Sequence, residues 1–296
     1  GIRSHPDTPV FVCGHCRLQF IEPAWASESE LRDYYRTQYR EHHEARLNTR
    51  FTPQQRHDHQ KFFMLESLKN FKEKIPEGGS VLEIGCSAGG FLAGLKDRHE
   101  LYGAEWNPED AAFVRDNLGI PCEEGLLEDI YPGKSFNAIV AIHVFEHQID
   151  PLAWLQRVKK RLIGGGWLYL EMPHANAPLS AIYLVKEYQA FFYRDAHLTY
   201  WLPHELAQFL NAAGFEAKVQ PLQRYGLLNH LSWYQTRKPM EDGLDARRLF
   251  HPVINTHPMA GAVNRILEKL DKEYRLGLQG LWATDSLSAV CQRFEI

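Results

Sequence analysis

The chain lacks any apolar run long enough to cross a bilayer, which excludes a helical membrane anchor within it. Cysteine is scarce: there are five, and Cys86, Cys122 and Cys291 stand isolated. An odd, scattered set excludes a disulfide framework and points to a reducing compartment. No secretory leader is recognisable, so the expected location is cytoplasmic. Surplus charge is missing too: 33 Lys and Arg stand against 37 Asp and Glu, a net charge of −4. That balance offers no footing for a polyanion, so neither nucleic acid nor a membrane is expected as a partner. What remains is an ordinary globular composition over 296 residues, enough for one large domain or two small ones.

Residues 81–92, VLEIGCSAGGFL, organise the rest. A β-branched apolar run leads into a glycine cluster, and helix-forming residues follow. Glycine permits the backbone conformations of a tight turn and the close approach of a ligand. The helix that follows points free N–H groups over that turn. This is the pattern of a nucleotide-type binding turn, with Glu83 two residues before Gly85, then Ser87, Gly89 and Gly90. Residues 101–106 form a second strand ending in Glu105, whose carboxylate can accept hydrogen bonds from both hydroxyls of a ribose. Trp106 beside it offers a flat face for adenine. Pro108 starts the next helix and Gly119 ends it. Residues 136–144 are a near-continuous apolar strand, as in a sheet covered on both faces. Asp150 caps a helix that begins at Pro151, the glycines 164–166 stop it, and residues 167–172 form the next strand.

The glycine spacing differs from the dinucleotide fingerprint and resembles motif I of the class I S-adenosylmethionine (SAM) methyltransferases, acidic-x-G-x-G-x-G, with Ser87 at the middle glycine. The run from residue 136 to Pro173 resembles the same family: an apolar strand, His-Val-x-Glu-His at 143–147, Asp-Pro, a helix, Leu-x-x-Gly-Gly, and a strand ending in proline. The likeness covers residues 60–225 and closes with the Ala-Gly-Phe entry at Phe215. It implies an α/β fold, a Rossmann-like seven-stranded, mostly parallel sheet with an N-terminal helical cap and a helical insertion before the last strand. The expected organisation is residues 1–60 as a zinc-ribbon-like remnant and cap, 61–225 plus 286–296 as the SAM-binding domain, and 226–285 as a lid or dimer face. The implied cofactor is SAM, with S-adenosylhomocysteine (SAH) as product. The implied cofactor residues are Glu83, Gly85, Ser87, Gly89, Glu105, Trp106, Leu126, Leu127 and His143. Leu126 stands where many relatives carry an adenine-binding aspartate, so backbone groups there, or Glu128, must substitute.

The N-terminal stretch has Cys13 and Cys16 at knuckle spacing without a second pair, an incomplete tetrahedral site. His5 and His15 are close in sequence, but His15 lies inside the knuckle, where reaching the same metal is awkward. Residues 28–74 read as mostly helical, and Tyr34, Tyr35 and Tyr39 could close over a cofactor. His42, His43, His57 and His59 lie in a polar stretch and read as a solvated face.

Ligands of a doubly wound sheet bind outside the carboxyl ends of the strands. Three histidines are expected there as candidates for the base that deprotonates a hydroxyl: His143, His197 and His174. The expected acceptor residues are Glu146, His147, Tyr200, Arg224, Tyr225, Asn229 and His230, walled by residues 174–201 and 226–285. The His-x-x-Glu-His run also resembles the Glu-x-x-Glu-His of ubiquinone-type and small-RNA 3′-end methyltransferases, which bind a divalent metal. Relatives without a metal carry the same Glu-His pair, so no metal is assigned. The expected activity is methyl transfer from SAM to a small-molecule acceptor, at a hydroxyl of a sugar, glycan precursor or secondary metabolite, by a possible homodimer. The alternatives are a metal-dependent RNA methyltransferase, a SAM-binding protein without transferase activity, and an oxidoreductase using NAD.

Overall fold

The computed structural model describes residues 9–42, 50–239 and 258–294. Its strands are β1 (Phe11–Val12), β2 (Gln19–Phe20), β3 (Ser80–Ile84), β4 (Glu100–Ala104), β5 (Cys122–Glu123), β6 (Phe136–Ile142), β7 (Leu162–Pro173), β8 (Thr199–Tyr200), β9 (Phe215–Leu222) and β10 (Ser286–Arg293). Seven of them form one sheet in the order β5-β4-β3-β6-β7-β10-β9. β5, β4, β3, β6 and β7 run parallel, while β10 pairs antiparallel with both β7 and β9.

The helices are α1 (Glu28–Thr37), α2 (Pro53–Phe63), α3 (Leu65–Phe71), α4 (Gly90–Ala93), α5 (Pro108–Leu118), α6 (Pro151–Arg161), α7 (Pro178–Ala181), α8 (Lys186–Phe192), α9 (Pro203–Ala212), α10 (Leu227–Thr236) and α11 (Ala260–Gly280). They cover both faces of the sheet, which explains why β6 is apolar without alternation. Successive strand residues point to opposite faces. Leu82 and Ile139 therefore join a core with Trp154, Leu155 and Leu206. Val81 and Val140 join a second core with Phe71, Phe91 and Val114. The polar exception in β6, Asn137, accepts hydrogen bonds from Ser80 N at 2.9 Å and Ser80 Oγ at 3.1 Å, tying β6 to the start of β3.

Local signals set most element ends. The Asn107 side chain accepts from Asp110 N and that of Asp150 from Ala153 N, each one residue before a helix that opens with proline. Gly119, at φ +65°, ends α5. The expected boundaries of β6 and β7 shift. β6 stops at Ile142, because His143 turns the chain at φ +55°. β7 begins at Leu162, whose partner is Phe136, so the glycines sit inside the strand and do not stop the helix. β9 ends at Leu222 and β10 at Arg293.

The N-terminal hairpin does not stand apart. β2 pairs with both β1 and β8, and β8 belongs to the segment that follows β7. That segment has its own core of Leu179, Val185, Tyr188, Phe192 and Trp233. The helical reading of 28–74 gives α1, α2, α3 and a 3₁₀ turn at Lys72–Lys74, with residues 43–49 outside the described residues. Of the excursion at 226–285, α10 and α11 are described, while 240–257 lie outside.

Candidate active site

The chain order reverses between β3 and β6, and an open α/β sheet binds ligands at such a point. The loop leaving β3 there is held in a shape only some residues permit. Gly85 and Gly89 lie at φ +68° and +72°, and Ser87 at +44°. α2 presses on the same loop: a Cβ on Gly90 would lie 2.4 Å from Gln60 Cβ and 2.6 Å from Lys61 N.

Glu105, at the exit of β4, closes this loop. One carboxylate oxygen accepts from Ser87 N and the other from Asn107 N, both at 2.7 Å. Burial, with the Asp110 charge next, holds its carboxyl above the usual carboxylate range. Each oxygen keeps a second lone pair for a ribose hydroxyl. Glu83 is buried, and its Oε2 has no hydrogen-bond partner. Burial first, then the Glu105 charge, pushes it well above the ordinary value. Trp106 Nε1 donates to Gly125 O at 2.8 Å, and the Tyr35 ring from α1 lies 5.9 Å from the Trp106 ring. Leu126 is half-buried beside them. Leu127 instead belongs to the core, and its carbonyl accepts from Arg161 Nη1.

Sequence reasoning missed the anchor of this loop. Asp110 is fully buried and takes hydrogen bonds from Arg40, from Arg56 Nε at 2.8 Å and from Ser87 Oγ at 2.9 Å. Both arginines come from segments far away in sequence, so no local pattern announces them. His57 also departs from expectation. It is buried against Ala88 O at 2.9 Å and does not sit on a solvated face. His42 is exposed, His59 stacks on Phe63, and His43 lies outside the described residues. Cys13 and Cys16 are half-buried in the turn of the β1–β2 hairpin, and hydrogen bonds from Cys16 and His15 lower the Cys13 thiol. His5 lies outside the described residues.

The polar groups at the end of β6 do come together. His143 Nδ1 meets Glu146 Oε1 at 3.1 Å, and Glu146 is fully buried. His147 Nδ1 donates to Ala196 O. Its Nε2, the nitrogen left with a lone pair, lies 4.0 Å from Glu146 Oε1. Burial lowers the His147 pKa and favours the neutral ring. His197, from the segment after β7, places its ring 5.0 Å from that of His147. Glu146, His147 and His197 each offer a ligand atom, all within 4.8 Å of one another. Tyr35 covers the group from above, with its ring 5.5 Å from His147. Of the three tyrosines expected to close over the site, Tyr35 thus touches both halves of it.

Other expected site residues are engaged elsewhere. Tyr200 is buried, and its hydroxyl donates to Phe192 O and accepts from Arg194 N. Arg224 is spent on Glu171, Ser67 Oγ and Phe63 O, a buried tie between β7, β9 and the helices. His230 bridges Asp285 and Tyr274, Tyr225 N donates to Asp285, and Asn229 is buried nearby. His174 is fully buried. Its Nδ1 donates to Thr284 O at 3.1 Å, and burial lowers its pKa to about 4. A ring so weakly basic is a poor proton acceptor near neutral pH.

A doubly wound sheet with an antiparallel last hairpin, a glycine turn sealed by an acid from the next strand, and a polar cluster beside it are the features of a class I, SAM-dependent methyltransferase. Residues 55–219 match the family described as "Methyltransferase domain", more than half of the chain. The chain belongs to that family. Its cofactor is SAM, and the glycine turn, the unpartnered oxygen of buried Glu83 and the half-buried Glu105 carboxylate fit it.

The fold is similar to a SAM-dependent methyltransferase from Archaeoglobus fulgidus, at 16% identity and TM-score 0.52, covering 86% of this chain and 100% of that one. It is also similar to the structure of a putative methyltransferase complexed with the Trm112 activator of Haloferax volcanii, at 14% identity and TM-score 0.52, over 81% and 94% of the chains. A third is the plantazolicin methyltransferase BpumL in complex with SAH, at 14% identity and TM-score 0.50, over 89% and 94%. Among curated protein sequences none matches this chain. No helix of the described residues is long and apolar enough to cross a membrane.

Proposed function

We propose that the enzyme methylates a hydroxyl of a small-molecule acceptor, in the class of sugars, glycan precursors and secondary metabolites. The observation that carries this reading is the pairing of His143 with the buried carboxylate of Glu146 at 3.1 Å. With Nδ1 donating to Glu146, Nε2 keeps its lone pair and can take a proton from a hydroxyl. The carboxylate then stabilises the imidazolium, as the acid of a hydrolase triad does. Bound SAM supplies an activated methyl on a positive sulfur. The chain's part is to align the acceptor oxygen with that methyl, accept the proton and keep water out. Glu83, Glu105 and the glycine loop hold the donor side. The acceptor side is left to the end of β6 and to the segment bearing His197. Tyr35 closes the crevice between Trp106 and His147, which suits a small acceptor better than a polymer.

The test is mass spectrometry of products after incubation with SAM and panels of sugars, nucleotide sugars and aromatic alcohols. A hydroxyl compound methylated by the wild type supports the reading. His143→Ala should lower its turnover about 10²–10⁴-fold with SAM affinity unchanged. Methylation confined to nitrogen or carbon acceptors, or an unaffected variant, counts against it.

A second reading has its own observation. Glu146, His147 and His197 lie within ligand distance of one another, and Glu146 Oε2 is buried with no hydrogen-bond partner. The sequence assigned no metal here, but it could not bring His197 to the pair. Two imidazoles and a carboxylate suit a divalent transition ion better than magnesium. Such an ion would bind and polarise the acceptor oxygen. Cobalt(II) titration followed by visible absorption, on wild type and His197→Ala, decides it. A saturable site lost in the variant supports the metal; featureless spectra reject it.

A further inference from the structure

The turn after α8 is fixed against the loop that carries Glu146 and His147. Ala196 O accepts from His147 Nδ1, and Leu198 N donates to Glu146 O at 2.7 Å. Within the turn, His197 N donates to Arg194 O at 3.0 Å, and Arg194 N donates to the Tyr200 hydroxyl at 2.9 Å. Arg194 and His197 therefore ride on one rigid piece of backbone, and Arg194 is half-buried there.

The Arg194 guanidinium is held but not neutralised. It lies over the Phe191 ring, 4.5 Å from its centre, and Nε donates to Phe191 O at 3.3 Å. Phe191 is in the last turn of α8, so this bond closes the carbonyl end of the helix and needs only the Nε donor. Both Nη groups, the fork that matches a carboxylate or a phosphate, are left without a protein partner among the described residues. No acid of the described residues, Asp195 included, comes within ion-pair distance of Arg194. Arg40, Arg56, Arg157 and Arg224 by contrast each reach a carboxylate.

Place selects the ligand. His197, on the same turn, sets its ring 5.0 Å from that of His147. The Arg194 charge is felt there: burial is the chief cause of the lowered His147 pKa, and Arg194 works in the same direction. The guanidinium thus belongs to the acceptor side of the crevice, while Glu105 and the glycine loop hold the donor side. A guanidinium gives up its water more readily than an ammonium and pairs its N–H groups with two oxygens at once. Stacking on Phe191 sets its plane in advance, so little freedom is lost when an anion arrives.

We propose that Arg194 binds an anionic group, a carboxylate or a phosphate, on the molecule that receives the methyl. The assignment rests on the reading of this crevice as the acceptor site and holds whichever acceptor atom is methylated. SAH-loaded protein is titrated in a calorimeter with matched probes: hydroxybenzoate against hydroxybenzyl alcohol, and glucose phosphate against glucose. The charged member of at least one pair should bind roughly tenfold or more tighter than its neutral mate, and added salt should narrow the gap. The pair that responds separates carboxylate from phosphate. Arg194→Gln should abolish the difference while SAH affinity and circular dichroism stay unchanged. Arg194→Lys, a charge without the fork, should keep part of it. Charged and neutral probes that bind the wild type alike overturn the proposal, as does a preference that Arg194→Gln leaves intact. Loss of SAH affinity in a folded Arg194→Gln also overturns it, because the anion held would then be the cofactor's own carboxylate. Product analysis tests the methylated atom separately: methylation at nitrogen alone would reject the hydroxyl reading and leave the Arg194 result standing.

Discussion

Gly85 stands against Val144: a Cβ on the glycine would lie 2.6 Å from Val144 Cγ2. The loop after β3 and the loop after β6 therefore touch across the crevice where the chain order reverses. Gly85 is bound to its identity twice, by this contact and by its φ of +68°. Gly85→Ala should destabilise the fold by about 1–3 kcal/mol and weaken SAM binding with it. Gly85→Ala/Val144→Ala should recover the steric part only. Denaturation and calorimetry on both variants check this; an unperturbed single variant would falsify the assignment.

Glu105→Ala should lower SAM affinity by about 1–3 kcal/mol, since a desolvated charged acceptor is lost. Ser87 N and Asn107 N lose their partner as well, so the loop itself should loosen. Calorimetric SAM binding equal to wild type would remove Glu105 from the cofactor site.

Asp110→Asn should cost about 3–5 kcal/mol, because Arg56 and Arg40 keep their charges after the buried anion between them is neutralised. Urea denaturation measures it. A loss within the scatter of surface substitutions would mean that the arginines find other partners.

Stability should fall as pH drops from about 6.5 to about 4 through His174. Its pKa in the folded protein is about 4, below the ordinary value of 6.5, because burial disfavours the charged ring. In that window the unfolded chain binds a proton that the folded one does not, so stability rises with pH there and is fully present above 6.5. The full contribution is about 3 kcal/mol. His174→Phe should flatten the curve between pH 4 and pH 6.5 relative to wild type. Equal acid slopes in the two proteins would show that His174 does not carry this dependence.

The sheet was legible in the sequence because its signals are local. The apolar run of β6 needs no partner to be read, nor do the glycines after β3 or the Asp-Pro start of α6. Glu105 was legible for the same reason, as an acid at a strand end at a fixed distance from a glycine turn. Family likeness then supplied the strand order that local pattern leaves open.

Only the tertiary structure decided the rest, because those contacts join residues with no shared periodicity. Asp110 draws Arg40 and Arg56 from the cap, and His197 comes to Glu146 and His147 from a segment that also pairs with the N-terminal hairpin. Arg224 and Tyr200 look like site residues by position, yet burial forces their polar atoms onto internal partners. The amphipathicity of α11 is written in the sequence. Which side faces the body was settled by Asp271 and Tyr274, whose hydrogen bonds to Leu227 N and His230 hold the polar side inward.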